Sequence, residues 1–158
     1  MNPEDPAINP TGLAHELVAA NVYMTLATAD AAGVPWASPV WFAARGLDLF
    51  VWASKPGARH SLNIAANPQV SLVIFDSSKA EGEGSALYVS AAAALVNDAA
   101  FEDALAVYKA RSVERGLGRW DASRLQEGAR HRLYQAVALE AFVLDDHDER
   151  VAVQLASL

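Results

Sequence analysis

The sequence predicts a mainly β fold with peripheral helices, on three observations. Residues 23–29, 36–44, 47–53, 69–75 and 131–144 alternate apolar with polar residues or are rich in β-branched and aromatic ones. Glycine, proline, asparagine or aspartate bounds these stretches, as strands joined by turns require. Helical patterns are confined to the start of the chain and to connectors. With 158 residues, 53% of them hydrophobic, the chain can bury one substantial core. It reads as a single domain over 1–158, with residues 1–8 loose.

In chain order, Asn9-Pro10 opens a helix, with Asn9 as N-cap and Pro10 at the first helical position. Leu13, Leu17 and Val18 form its apolar stripe, and it ends near Asn21. Residues 23–29 (YMTLATA) follow as a strand, and 30–35 (DAAGVP) turn the chain at Gly33. Residues 36–44 (WASPVWFAA) make a second strand. Pro39 donates no ladder hydrogen bond, so one side of that strand must be an edge, a bulge or a ligand face. A turn at 45–48 leads into a third strand, 47–53.

Residues 54–57 (SKPG) cannot sustain a strand, because Lys55 precedes proline and Gly57 permits positive φ. A short helix over 58–66 presents Leu62 with Ala65 or Ala66 on one apolar face, and Asn67-Pro68 stops it. After the strand at 69–75 comes a polar, glycine-containing loop at 77–84. The alanine-rich stretch 85–96 suits a helix or a strand. Asn97-Asp98 then reads as a fresh N-cap for a helix over 98–110, with Phe101, Leu105 and Tyr108 at helical spacing. A short helix at 122–127 capped by Asp121, a long strand at 131–144 broken near Ala138, and a last strand carrying Val151, Val153 and Leu155 complete the chain.

Composition excludes several function classes. Net charge is −7 with only three lysines, Lys55, Lys79 and Lys109, which leaves no basic face for a large nucleic-acid footprint. With no cysteine, disulfides, thiol redox chemistry and cysteine-ligated metal sites are excluded. No apolar run reaches transmembrane length, and MNPEDPAINP lacks the basic start and apolar core of a signal peptide, so a cytoplasmic protein is expected. The histidines, His15, His60, His131 and His147, show no HxxxH or HxH spacing, and no metal site is expected. GxSxG, P-loop and GxGxxG motifs are absent. Asp145, Asp146, Asp148 and Glu149 read as a solvated turn.

The chemistry-bearing stretch is residues 52–76, WASKPGARHSLNIAANPQVSLVIFD. It puts Arg59 and His60 in the first turn of a helix after a glycine-containing loop. A helix start offers free N–H groups and partial positive charge, and arginine adds bidentate donors, which suits a phosphate. The plainer alternative is a connector with a solvated arginine. Trp36 and Trp41 are open to two readings, ligand contact or core and interface packing.

The same stretch resembles the pyridoxamine 5'-phosphate oxidase-like, FMN-binding split-barrel family, through Arg59, Asn63, Asn67, Pro68 and the strand 70–75. YMTLATADAAGVPWASPVWFA is similar to that family's first hairpin. The likeness covers residues 22–96 well and the last third loosely. It implies a split β-barrel of six to seven strands, including one at 85–96, where Ala91-Ala92-Ala93 replaces a usual Gly-Arg-Ala. It implies a homodimer with cofactor sites at the interface, and FMN as cofactor. Carried over residue by residue, Ser54, Lys55, Arg59 and His60 would hold the phosphate, and Ser38, Pro39, Val40 and Trp41 would lie along the isoalloxazine ring. His60 stands where many relatives have lysine. Chain position and composition put Arg119 and Trp120 on the substrate side.

Well-known oxidases of the family often carry arginine at the position of Ser38 and lysine at that of Ala43. The loss of both charges argues against pyridoxamine phosphate as substrate, though not against flavin. The function implied is FMN-dependent oxidoreduction of a small molecule. The alternatives are an F420-dependent reductase of the same fold and a non-catalytic protein that binds flavin, haem or another planar ligand. A flavin carries its own redox chemistry, so the lack of an acid–base motif fits.

Overall fold

The computed structural model describes residues 8–118 and 120–156. Its elements are α1 (Pro10–Ala20), β1 (Tyr23–Ala29), β2 (Pro35–Trp41), β3 (Ala43–Arg45), β4 (Leu49–Ser54), α2 (Arg59–Ala66), β5 (Gln69–Phe75), β6 (Ala86–Leu95), α3 (Asp98–Glu114), β7 (Arg132–Leu144) and β8 (Arg150–Val153). All strands join one sheet in the order β2-β1-β5-β6-β7-β4-β3, with β8 beside β7. The two ends of that order are consecutive in sequence. One extended segment, interrupted at Phe42, pairs antiparallel with β1 as β2 and with β4 as β3, so the sheet curls into a barrel. The strand expected over 36–44 is therefore two strands. Pro39 opposes Thr25 of β1, and β2 has no strand on its other side, so the missing donor falls at an edge.

Alternation aims Met24, Leu26, Leu72, Ile74, Leu87 and Val89 into the barrel, where they meet Phe42, Phe50 and Trp52. β4 is buried on both faces. Phe50 and Trp52 point inward, while Leu49 and Val51 pack under Leu105 and Tyr108 of α3. That is why its sequence is an unbroken apolar run rather than an alternating one. Each such large side chain contributes about 1.5–3 kcal/mol on burial.

The ambiguous stretch 85–96 is the strand β6. Pairing with β5 on one side and β7 on the other outweighs the helix propensity of its alanines, and Ala91 and Ala93 point into the core. The break expected near Ala138 is a bulge. Glu140 opposes Ser90 and Ala138 opposes Ala91, leaving Leu139 unpaired and exposed.

The two asparagine caps are as read, whereas the Asp121 side chain makes no capping hydrogen bond. Asn9 Oδ1 accepts from Gly12 N–H at 3.0 Å, and Asn97 Oδ1 from Ala100 N–H at 2.9 Å. Arg111 of α3 donates to the carbonyls of Val18, Ala19 and Asn21 at 3.1, 3.2 and 2.9 Å, which closes the C-terminal end of α1.

Further expectations need correction: the last strand, β8, ends at Val153, so Leu155 lies beyond it. The helix over 122–127 is a single 3₁₀ turn, Ala122–Arg124. In α2 the buried residues are Ser61, Asn63 and Ile64, while Leu62, Ala65 and Ala66 are exposed. Hydrogen bonding by Asn63 turns the polar side of the helix inward. The looseness expected of residues 1–8 falls, apart from Ile8, outside the described residues, and Ile8 packs against the core. Among the described residues no helix is long and apolar enough to cross a membrane.

Candidate functional site

The chain leaves the barrel at Ser54, turns through Lys55–Gly57 with Ala58 N–H bonded to Lys55 C=O at 3.0 Å, and enters α2. The N-cap of α2 is Ala58, whose side chain accepts no hydrogen bond, and the first turn carries no acidic residue. Its leading N–H groups thus lack the usual side-chain acceptor. Arg59 adds a cation where the helix dipole is already positive, an arrangement that an anion relieves.

The Arg59 guanidinium lies 4.3 Å from the centroid of the Trp36 ring, on the rim of β2. That contact holds the arginine near the helix start while leaving it exposed. Beneath it, Asn63 Nδ2 donates to Thr28 Oγ1 at 3.0 Å, and Thr28 Oγ1 donates to the Trp36 carbonyl at 3.4 Å. Asn63 and Thr28 are both buried. This relay ties α2 to the β1–β2 hairpin and fixes Arg59 relative to Trp36.

His60 Nε2 is 2.7 Å from Ser54 Oγ, so the end of β4 orients the imidazole. Burial lowers the His60 pKa from its ordinary 6.5 and favours the neutral ring. Ser54 and His60 thus meet at the start of α2, where Arg59 is the neighbouring residue and the exposed Lys55 lies in the preceding turn.

Residues 38–41 divide between faces. Val40 is inside the barrel, Ser38 is partly buried and Pro39 is exposed on the edge strand. The Trp41 ring packs edge-on against Tyr108 of α3, with centroids 5.2 Å apart and planes at 81°. Tyr108 in turn meets Trp120 edge-on at 5.7 Å, and the Arg124 guanidinium caps Trp120 at 4.5 Å. Trp41 and Trp120 are therefore both engaged in a packed ladder on the α3 flank. Burial pushes the Tyr108 phenol up to about 12. Arg119 lies outside the described residues. Ala43 is fully buried in the α3 cluster, which leaves no room for a lysine.

Sequence reasoning missed the pairing of Arg59 with Trp36 and the part played by Thr28. Strand and helix periodicity say which face a residue occupies, and neither says which loop-separated elements meet. Asn63 carried one signal, its match to the family's pattern, which does not say which way its side chain faces. Among the described residues no group of three or more His, Cys, Asp or Glu is arranged to hold a metal ion.

A curled antiparallel barrel with a helix start at its rim is the architecture of a split barrel. The sequence model of the family "Pyridoxamine 5'-phosphate oxidase" matches residues 11–143, and the chain belongs to that family. No curated protein matches it. Among solved structures it is similar to HutZ, the heme storage protein of Vibrio cholerae, with 25% identity, 84% of this chain and 92% of that one covered, and a TM-score of 0.65. It is similar in fold to a Clostridium acetobutylicum protein related to general stress protein 26 of the pyridoxinephosphate oxidase family (14% identity, 92% and 94% covered, TM-score 0.64). A third likeness is to an F420 reductase (20% identity, 76% and 88% covered, TM-score 0.55).

Proposed function

We propose that the protein binds FMN at the α2 rim and uses it for oxidoreduction of a small molecule. The observation that carries this reading is Arg59, exposed in the first turn of a helix without side-chain capping and held beside Trp36. The N–H groups of that turn and the Arg59 guanidinium would take the phosphate, with Lys55 adding positive charge. Ser54 would orient His60 toward the phosphate. The β2 edge at Ser38 and Pro39 and the open face of Trp36 would border the ring. FMN, when bound, supplies the hydride and electron chemistry. The chain's own contribution is to bind, orient and shield it. Without cations at Ser38 and Ala43, pyridoxamine phosphate is not the expected substrate.

A homodimer is part of the proposal. The outward side of β1, β5, β6 and β7 exposes Tyr23, Phe75 and Leu139 around small residues such as Ala27, Ser71 and Ala92. A groove of about 450 Å³ runs there between Ala27, Gln69, Ser71, Ser90 and Leu139. A second copy would cover this surface and complete the cofactor site. Sedimentation should give twice the 16.8 kDa chain mass at micromolar concentration; a monomer that binds FMN fully would contradict the shared site.

The 25% identity with a heme storage protein favours one second reading, a non-catalytic binder of a planar ligand. An F420-dependent reductase would use the same rim. The absorption spectrum of the purified protein separates flavin, deazaflavin and haem, and reduction of a bound flavin by NADH or NADPH separates an enzyme from a binder.

A further inference from the structure

β4 lies between β3 and β7 in the sheet, so the turn that follows it has two sides. On one, Arg59 leans toward β2 through the Trp36 ring. On the other, Ser54 pairs with Arg132 at the start of β7. Lys55, one residue further, therefore comes opposite His131, with Arg130 beside it. Lys55 and Arg130 are both exposed.

The segment that precedes β7 brings a third permanent cation to the same place. Residues 121–129 fold through successive turns. Arg124 N–H donates to the Asp121 carbonyl at 3.2 Å, Leu125 and Gln126 N–H both donate to that of Ala122 at 3.0 Å, and Ala129 N–H donates to that of Gln126 at 3.0 Å. Leu125 is fully buried in the cluster that contains Leu133 of β7, which anchors the segment on the strand. Its neighbour Arg124 is held 4.5 Å from the Trp120 ring, which Tyr108 fixes in turn. Burial and then the charges of Arg130, Lys55 and Arg124 lower the His131 pKa from its ordinary 6.5, so all three cations act on one imidazole.

These charges converge in a chain of net charge −7. Among the described residues, no carboxylate forms an ion pair with Lys55 or Arg130. The acidic groups of the region are engaged elsewhere. Asp121 accepts from the Ser123 hydroxyl and feels the charge of Arg124, while Asp98, Glu102 and Glu127 line a neighbouring cavity of about 440 Å³ together with Arg132. Like charges held together repel, and an anion among them replaces repulsion with charge-assisted hydrogen bonds. Three permanent cations and an imidazole exceed what a single carboxylate neutralises; two linked phosphates match them.

We propose that Lys55, Arg124, Arg130 and His131 form a second anion site, on the β7 side of the turn, for the diphosphate group of a ligand other than the flavin. Lys55 is the one residue shared with the proposed FMN site. Arg124 and Arg130 belong to this site alone, so it does not depend on the FMN reading.

The test titrates inorganic pyrophosphate, ADP and, at matched ionic strength, sodium chloride into the full-length protein with and without FMN. Binding is followed through the backbone amide NMR signals of Arg124, Arg130 and His131. Pyrophosphate and ADP should give saturable shifts at all three, and chloride should not. Arg124→Gln and Arg130→Gln should each weaken pyrophosphate about 3- to 10-fold, Arg130→Lys should retain most of the affinity, and FMN affinity should stay the same in all three variants. Arg59→Ala should leave pyrophosphate binding unchanged, which separates this site from the α2 phosphate site. ADP binding tighter than pyrophosphate assigns a nucleotide, and weaker binding assigns the free diphosphate; both support the site. Shifts that follow ionic strength alone, or unchanged pyrophosphate affinity in both glutamine variants, would overturn it. Pyrophosphate binding that FMN abolishes would give the cluster to the flavin phosphate and overturn it as well.

Discussion

The α2 rim and the α3 flank use the same residue types in opposite ways. On the flank, Trp41, Tyr108, Trp120 and Arg124 form a continuous ladder, and Tyr108 at its centre is 4% exposed. On the rim, Trp36 is 42% exposed and Arg59 leans on it beside a helix start that no side chain caps. An aromatic enclosed by neighbours stabilises the fold. One with an open face, next to a cation at a helix N-terminus, is available to a ligand. Residue type alone does not separate the two cases; the number of faces already occupied does.

That contrast can be broken by mutation, and the largest effect belongs to the flank. Tyr108→Ala should cost about 3–5 kcal/mol in urea denaturation, because it empties the middle of the ladder and part of the α3 cluster. Trp36→Ala should cost no more than about 1 kcal/mol but weaken FMN binding. The reverse ranking would show that the rim is the structural element.

The relay under the rim should give the next effect. Asn63→Ala removes the donor to the buried Thr28 hydroxyl and should cost about 1–3 kcal/mol. It should also weaken FMN, since Arg59 loses its fixed position. Unchanged FMN affinity in a destabilised Asn63→Ala protein would detach the relay from the site.

Much of this contrast was readable in the chain, and its limits have physical causes. Caps at Asn9 and Asn97 were legible because they depend on residues three positions apart. The turn at 54–57 was legible because proline and glycine restrict the backbone locally, and Pro39 narrowed one side of its strand to an edge, a bulge or a ligand face, of which the structure shows the edge. The inward face of α2 was not legible. Leu62 outranks Ser61 and Asn63 on any apolar scale, yet the partner that draws Asn63 inward is Thr28, in a different strand. The second strand was read too long because its break at Phe42 serves barrel closure, a property of the whole sheet. Trp41 could be named as a candidate, but only the packing of α3 shows its ring to be engaged.

The smallest effects are those of pH. Burial lowers the His60 pKa, and His131 is lowered by burial and by the neighbouring charges of Arg130, Lys55 and Arg124. The unfolded chain then binds protons first as pH falls. Stability is full above about 6.5 and declines as pH falls below it toward the folded-state values. Denaturation midpoints at pH 5 and 7.5 should show this slope, and His60→Gln should reduce it; a slope unchanged by His60→Gln would show that His60 does not carry the effect. FMN adds the opposite tendency, because phosphate favours imidazolium. Its binding benefit should be largest below the free-protein pKa and fade as pH rises through that of the complex. His60→Lys should flatten that profile, and parallel affinity curves for the two proteins would remove His60 from the phosphate.

The central claim, that the α2 rim is a phosphate site, is tested most directly by titrating FMN and riboflavin into the wild type and Arg59→Ala. The two ligands differ only in the phosphate. A charged hydrogen bond is worth about 1.5–3 kcal/mol, so Arg59→Ala should weaken FMN about 10- to 100-fold and leave riboflavin nearly unchanged. Equal losses for both ligands, or none for FMN, would contradict the account.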